Sequence, residues 1–97
     1  IPTFLNQHAN GWRAATTSAL KNSAINIESY ATDNGGSYAG ATSADLGTLS
    51  ADVTVAVESN ATGYCLIGEN VNLTGEFKYY DSAVGVPNDT DCTGIYV

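Results

Sequence analysis

The chain has 97 residues, the length of one domain with a modest hydrophobic core. It carries ten Asp and Glu against three Lys and Arg, for a net charge of −7 at pH 7. Binding to phosphates requires clustered basic side chains. Arg13, Lys21 and Lys78 are too few to form such a patch, which argues against direct binding of nucleic acid or of an anionic membrane surface.

The first predicted element is a long helix over residues 1–31. After Pro2 this stretch contains no proline, and Gly11 is its only glycine. Its apolar residues recur at helical spacing. A helix of about 28 residues is roughly 42 Å long, which exceeds the width of so small a domain. We therefore expect one end of the helix to project or to pack elsewhere. The apolar stripe comprises Leu5, Ala9, Trp12, Ala15, Ala19, Ile27 and Tyr30.

Residues 32–52 are predicted to form a loop of small residues between the helix and a sheet. Asn34, Gly35 and Gly36 are strong helix breakers, so the helix should end just before them. Within the loop, TSADLGTL is expected to form one short helical turn, with Thr42 or Ser43 as its cap.

From residue 53 the apolar period changes to two, which predicts β-strands. Val53, Val55 and Val57 share one face of DVTVAVES, and GYCLIGEN and GEFKYYDS follow at strand length. Tyr64 and Tyr79 alternate in the manner of core residues. DSAVGVPNDTDC is predicted to be a loop, and TGIYV a short last strand.

These elements predict a single α+β domain, with a helix over 1–31, a loop over 32–52, and a sheet with a C-terminal loop over 53–97. The long helix packs on one face of a three- to four-stranded antiparallel sheet, since both elements need a partner for their apolar side.

The two cysteines, Cys65 and Cys92, lie far apart and show neither CxxC spacing nor a paired histidine. A zinc site therefore has no support, which leaves one disulfide or two free thiols. Small polar residues are abundant and only 13% of residues are charged, as is typical of exported proteins, so the disulfide is favoured. A disulfide that closes a loop of about 26 residues raises the free energy of unfolding by roughly 3.5 kcal/mol, if it acts by lowering the entropy of the unfolded chain.

No residue pattern indicates an enzyme, a cofactor or a metal site. His8 is the only histidine, and since no nucleophile or acid is grouped with it, we interpret it as a solvated helix residue. Asn88, Asp89 and Asp91 form an oxygen-rich loop. Three ligands are too few for the roughly six to eight oxygens around Ca²⁺, so a solvated turn is favoured there.

The first residues suggest that a segment precedes them. The chain starts with Ile1 and Pro2 and contains no Met, and it shows no signal peptide and no apolar run of roughly 18 residues. Pro2 suits the first turn of a helix, and it also suits a bend in a helix that continues upstream.

Several stretches resemble the type IV pilins and the pseudopilins of type II secretion. IPTFLNQ precedes an Ala-rich helix with an aromatic residue, and DNG is followed closely by Tyr38. GYCL and KYYDSAVG resemble the sheet of bacterial major pilins. The resemblance extends from Ile1 to about Asp81 and is most specific over residues 1–7 and 30–38.

The resemblance implies a structural subunit of a bacterial surface filament. A cleaved leader and about twenty apolar residues would precede Ile1 and continue its helix, anchoring the subunit in the inner or cytoplasmic membrane before assembly. Other copies of the pilin and related minor pilins would be its partners in an extracellular filament. Ile1, Phe4, Leu5 and Trp12 would then pack between subunits.

Other interpretations remain open at this stage. Phe4, Leu5 and Trp12 could instead lie in the domain's own core under the sheet. The subunit could be a pseudopilin of a secretion or competence system. A free secreted binding or adhesin module is the alternative from a different functional class.

Overall fold

The computed structural model describes the backbone of residues 2–97 and the side chains of residues 8–97. Four strands form one antiparallel sheet in the order β1-β2-β3-β4, and the helix packs on one of its faces. The predicted α+β architecture is confirmed. Its elements are helix α1 (Pro2–Asp33), a 3₁₀ turn (Ser43–Leu46), and strands β1 (Val53–Ser59), β2 (Tyr64–Asn70), β3 (Phe77–Asp81) and β4 (Pro87–Asn88).

A stripe of mostly small residues joins the C-terminal half of α1 to the sheet. Leu20 and Ile27 supply its bulk, and full burial of each contributes roughly 1.5–3 kcal/mol. The predicted apolar stripe includes Ala19 and Ile27 of this buried face but not Leu20. It was incomplete because the buried face also contains polar residues, Thr16 and Ser23, which interrupt the apolar period. The buried helix positions, spaced by three or four, are Thr16, Ala19, Leu20, Ser23, Ala24, Ile27 and Ala31.

The helix lies close to β2 because Gly68 occupies the point of contact. A Cβ atom at this position would lie 3.1 Å from side-chain atoms of both Thr16 and Leu20. Glycine in a strand commonly marks such a close approach. Tyr64 and Leu66, on the same face of β2, are buried beside it and complete the central contact.

Helix α1 ends two residues beyond its predicted limit, in a turn closed by glycines. The Gly36 amide donates to the Ala31 carbonyl at 2.7 Å, and Gly35 adopts a φ of 70°, as in a Schellman motif. The side-chain amide of Asn34 donates to the Tyr30 carbonyl at 2.7 Å. These bonds satisfy carbonyls that the end of the helix would otherwise leave unpaired.

The predicted turn in the loop is present as the 3₁₀ turn, with Thr42 at its N-cap. The Asp45 carboxylate accepts a hydrogen bond from the Thr42 amide at 2.8 Å. Leu46 is buried, and its carbonyl accepts a hydrogen bond from the Asn26 side chain on α1. The loop is thereby fixed against the helix.

The C-terminal part of the sheet differs from the prediction. TGIYV forms a turn, and the last strand is instead Pro87–Asn88 within the predicted loop. The strand pairs with Tyr79 and Tyr80 at the edge of the sheet, where the missing amide of a proline is tolerated. Tyr64 is buried, as predicted for a core residue, whereas Tyr79 pairs with Ile67 on the face away from α1 and is only half-buried.

The predicted Cys65–Cys92 disulfide is confirmed, with a Cα–Cα distance of 5.7 Å. Both cysteines are buried, and Cys65 lies on the face of β2 opposite α1. The bond therefore holds the C-terminal segment over the second face of the sheet. The Tyr96 hydroxyl donates to the Asp81 carboxylate and fixes the same segment at the end of β3.

Replacing Gly68 with Val should destabilise the domain by about 1–3 kcal/mol, because the new side chain would overlap Thr16 and Leu20. Gly11→Ala is the control, since a Cβ at Gly11 meets nothing within 4 Å. That change should stabilise the helix by roughly 0.5–1 kcal/mol. Urea unfolding measures both effects. Unchanged stability of Gly68→Val would contradict the close contact between α1 and β2.

Candidate functional site

The described residues of α1 that precede Thr16 add no buried side chain to the contact between the helix and the sheet. Among the described side chains of α1, the buried ones begin at Thr16, and residues 8–15 are exposed or half-buried. The helical backbone from Pro2 to Ala15 extends roughly 20 Å before this point. The molecule accordingly measures 52 Å along its longest axis, against 24 and 18 Å along the other two.

Trp12 lies at the border between the covered and the projecting parts of α1. Its side chain is half-buried, and its ring centroid is 5.9 Å from that of the exposed His8. Its carbonyl accepts hydrogen bonds from the Thr16 hydroxyl at 3.0 Å and from the Asn70 side chain at 3.3 Å. The backbone at Trp12 is thus tied to the sheet while part of the ring remains available to a partner.

An ion pair fixes the same border from the side of the sheet. The Arg13 guanidinium donates to both carboxylate oxygens of Glu76, at 2.5 and 3.2 Å. This hydrogen bonding holds the pKa of Glu76 below its ordinary value. The bidentate pair joins α1 to the residue just before β3, at the end of the part of the helix that packs on the sheet.

Of the four residues predicted to pack in a filament, only Trp12 has a described side chain. Ile1, Phe4 and Leu5 lie outside the residues whose side chains the structure describes. Their predicted role remains a prediction.

The oxygen-rich loop near the C-terminus uses its side chains within the chain. Asp89 accepts from the Lys78 ammonium, and the Asn88 side-chain oxygen accepts from the amide two residues on. Asp91 accepts from the hydroxyl and the amide of Thr93, and these bonds lower its pKa. Among residues 8–97 no group of three or more His, Cys, Asp and Glu side chains is placed to hold a metal ion.

Three tyrosines and one carboxylate form a cluster where α1 meets the loop and the sheet. The ring centroid of the buried Tyr64 lies 5.0 Å from that of Tyr38 and 6.1 Å from that of Tyr80. The hydroxyls of Tyr38 and Tyr64 donate to the Glu28 carboxylate at 2.8 and 3.2 Å. Burial and the charge of Glu28 raise the pKa of Tyr64, and the hydrogen bond to Glu28 raises that of Tyr38.

An open groove of about 270 Å³ lies beside this cluster, between α1 and the loop that joins β3 to β4. Its apolar wall includes Ile25 and Val86, which are 64% and 55% exposed. Sequence reasoning missed the groove because it forms between segments sixty residues apart. The available signal was Ile25, a large apolar residue outside the helical stripe. The lining residues are Lys21, Ala24, Ile25, Glu28, Tyr80, Gly85, Val86 and Pro87.

Within residues 2–97 no helix is long and apolar enough to cross a membrane. Comparison of the chain with family models, with curated proteins and with solved structures finds no match. A function therefore has to be inferred from the residues and geometry of the chain itself.

The free energy of unfolding should fall as the pH rises above about 10, the ordinary tyrosine pKa. The pKa of Tyr64 is raised in the folded state, so the unfolded chain loses this proton first and is increasingly favoured. Below that pH both states keep the proton, and the group causes no pH dependence.

Tyr64→Phe should flatten this fall, and urea unfolding at neutral and alkaline pH measures it. Tyr30→Phe is the control, because the Tyr30 hydroxyl donates to the Ala39 carbonyl and not to Glu28. An alkaline fall of equal steepness in the native chain and in Tyr64→Phe would contradict the role given to this hydroxyl.

Proposed function

We propose that the chain is the globular domain of a filament subunit of the type IV pilin kind. The observation that carries the proposal is the length of α1, whose backbone continues roughly 20 Å N-terminal to Thr16, the first buried residue among its described side chains. The resemblance of IPTFLNQ and of the stretch around DNG to pilins adds to it.

A projecting helix of this length would gain stability from a partner. Most helical stability in proteins comes from packing of an apolar face, and the projecting part includes Gly11, which lowers helix propensity. In a filament, equivalent helices of neighbouring copies would pack side by side. Phe4, Leu5 and the exposed part of Trp12 would then be buried between subunits, and the hydrophobic effect would hold the polymer together.

We further propose that the subunit works outside the cell. The disulfide suits an oxidising compartment, and it holds the C-terminal segment against part of the face of the sheet that α1 leaves open. Before assembly, an apolar helical segment N-terminal to Ile1 would anchor the subunit in the inner or cytoplasmic membrane. Other copies and related minor pilins would be its partners.

The proposed role is structural and not catalytic. Both cysteines are held in the disulfide, and the one histidine is exposed beside Trp12 on the projecting helix. A pseudopilin of a secretion or competence system would have the same architecture, because this fold does not distinguish adhesion, motility, secretion and DNA uptake.

A free secreted binding module is the second candidate, and the exposed groove beside Ile25 favours it. The reading frame that contains the chain discriminates between the two. An apolar helix that runs unbroken into Ile1 and follows a short charged leader ending in Gly supports the filament subunit. An ordinary signal peptide supports the module.

Replacing both Phe4 and Leu5 with Ser in the full-length protein should reduce filament formation, as counted by electron microscopy. The same change in the 97-residue domain should alter stability by no more than roughly 0.5 kcal/mol, as at surface sites. Val71→Ser is the control, because Val71 is 57% exposed in the turn after β2 and should affect neither measurement.

Filaments formed at the native level by the double variant would overturn the proposed role of these residues. A loss of several kcal/mol in the isolated domain would place Phe4 and Leu5 in the core of the domain.

A further inference from the structure

The groove presents a self-complementary pattern of charge and apolar surface on α1. Lys21, Ile25 and Glu28 are spaced by four and three residues, so they lie along one face of the helix. Ile25 is 64% exposed and lies between a cation one turn before it and a carboxylate one turn after it. Reversing the direction of this face exchanges the positions of the positive and the negative charge.

Lys21 has no ion pair within the part of the chain that the structure describes, unlike the other two basic residues. Arg13 pairs with Glu76, and Lys78 pairs with Asp89. In a chain with a net charge of −7, an unpaired ammonium group next to an exposed isoleucine suits a carboxylate from another molecule.

The opposite wall of the groove is held in place within the domain. The Tyr80 hydroxyl donates to the Gly85 carbonyl at 3.0 Å, which fixes the loop between β3 and β4. This loop presents Val84 and Val86, which are 56% and 55% exposed, and Pro87 lines the groove beside them. The apolar surface is therefore formed before any partner arrives, so its docking requires little ordering of the loop.

We propose that this face docks a second copy of the same chain, with the two α1 helices antiparallel across a two-fold axis near Ile25. Ile25 then meets Ile25 of the second copy, and Lys21 of each copy pairs with Glu28 of the other. A two-fold contact uses the same patch on both copies, so both ion pairs form together. A parallel arrangement would place Lys21 against Lys21.

Glu28 can take part in this contact while it keeps its bonds to Tyr38 and Tyr64. A carboxylate offers about four acceptor positions, and the two tyrosine hydroxyls leave some of them open. Glu28 is also exposed, so a second ammonium group can reach it.

This inference goes beyond the proposed filament and does not depend on it. Subunits of one polar filament run in the same direction, so an antiparallel contact joins free domains or copies that belong to two filaments. It uses residues 21–28 and the β3–β4 loop, not the projecting part of α1. We expect this contact to be weak, with a dissociation constant on the order of 1 mM.

Dilution of the isotope-labelled domain from millimolar concentration, followed by NMR, tests the contact. Concentration-dependent shifts should be confined to the groove, at Lys21, Ile25, Glu28 and Val86. Ile25→Lys and Ile25→Glu should each weaken self-association by about tenfold or more, because like charges would meet at the axis. An equimolar mixture of the two variants should associate again, because Lys then faces Glu.

Ile95 provides the matched control, since it is 58% exposed and does not line the groove. Ile95→Lys and Ile95→Glu should leave the dilution shifts unchanged. Because Ile25 and Ile95 are both exposed, all four variants should keep the native circular dichroism spectrum.

Three results would overturn the proposal. The first is the absence of dilution shifts in the native domain at millimolar concentration. The second is a mixture of the Ile25 variants that associates no better than either variant alone. The third is loss of self-association in the Ile95 variants, which would place the contact elsewhere.

Discussion

The packing of α1 on β2 is the contact on which the rest of the structure depends. Gly68 lets the helix approach, and Leu20 and Ile27 fill the space beside it. Because β2 pairs with both β1 and β3, the distance between α1 and β2 also sets how far these two strands lie from the helix. The other face of β2 carries Cys65, through which the disulfide holds the C-terminal segment. One strand thus contacts α1 on one face and the C-terminal segment on the other, in a domain too small to have a large core.

This arrangement divides α1 into two parts with different roles. The part after Thr16 belongs to the core, whereas the part before Trp12 contributes no described buried residue to it. The ion pair between Arg13 and Glu76 lies at the border between them. A helix that continues beyond its own domain is well suited to assembly, because the same rigid element then connects the core to whatever packs around the projecting part.

Local signals in the sequence predicted most of the fold. The spacing of apolar residues and the helix-breaking residues predicted the helix, the turn at Ser43–Leu46 and three strands. The disulfide could be predicted because two cysteines allow only one pairing within the chain. The two-residue strand at Pro87–Asn88 was missed because it is too short to show a period. The cluster around Glu28 and the groove beside Ile25 were missed because they join α1 to segments that are distant in sequence, and no local pattern encodes such contacts.

Native-state hydrogen exchange along α1 tests the division of the helix most directly. Amides of residues 20–31 should exchange only through global unfolding, because this part of the helix carries the buried residues that pack on the sheet. Amides of residues 8–15 should exchange through local opening with a clearly lower free energy. Equal protection along the whole helix would contradict the account, because it would mean that the domain alone already stabilises the projecting part.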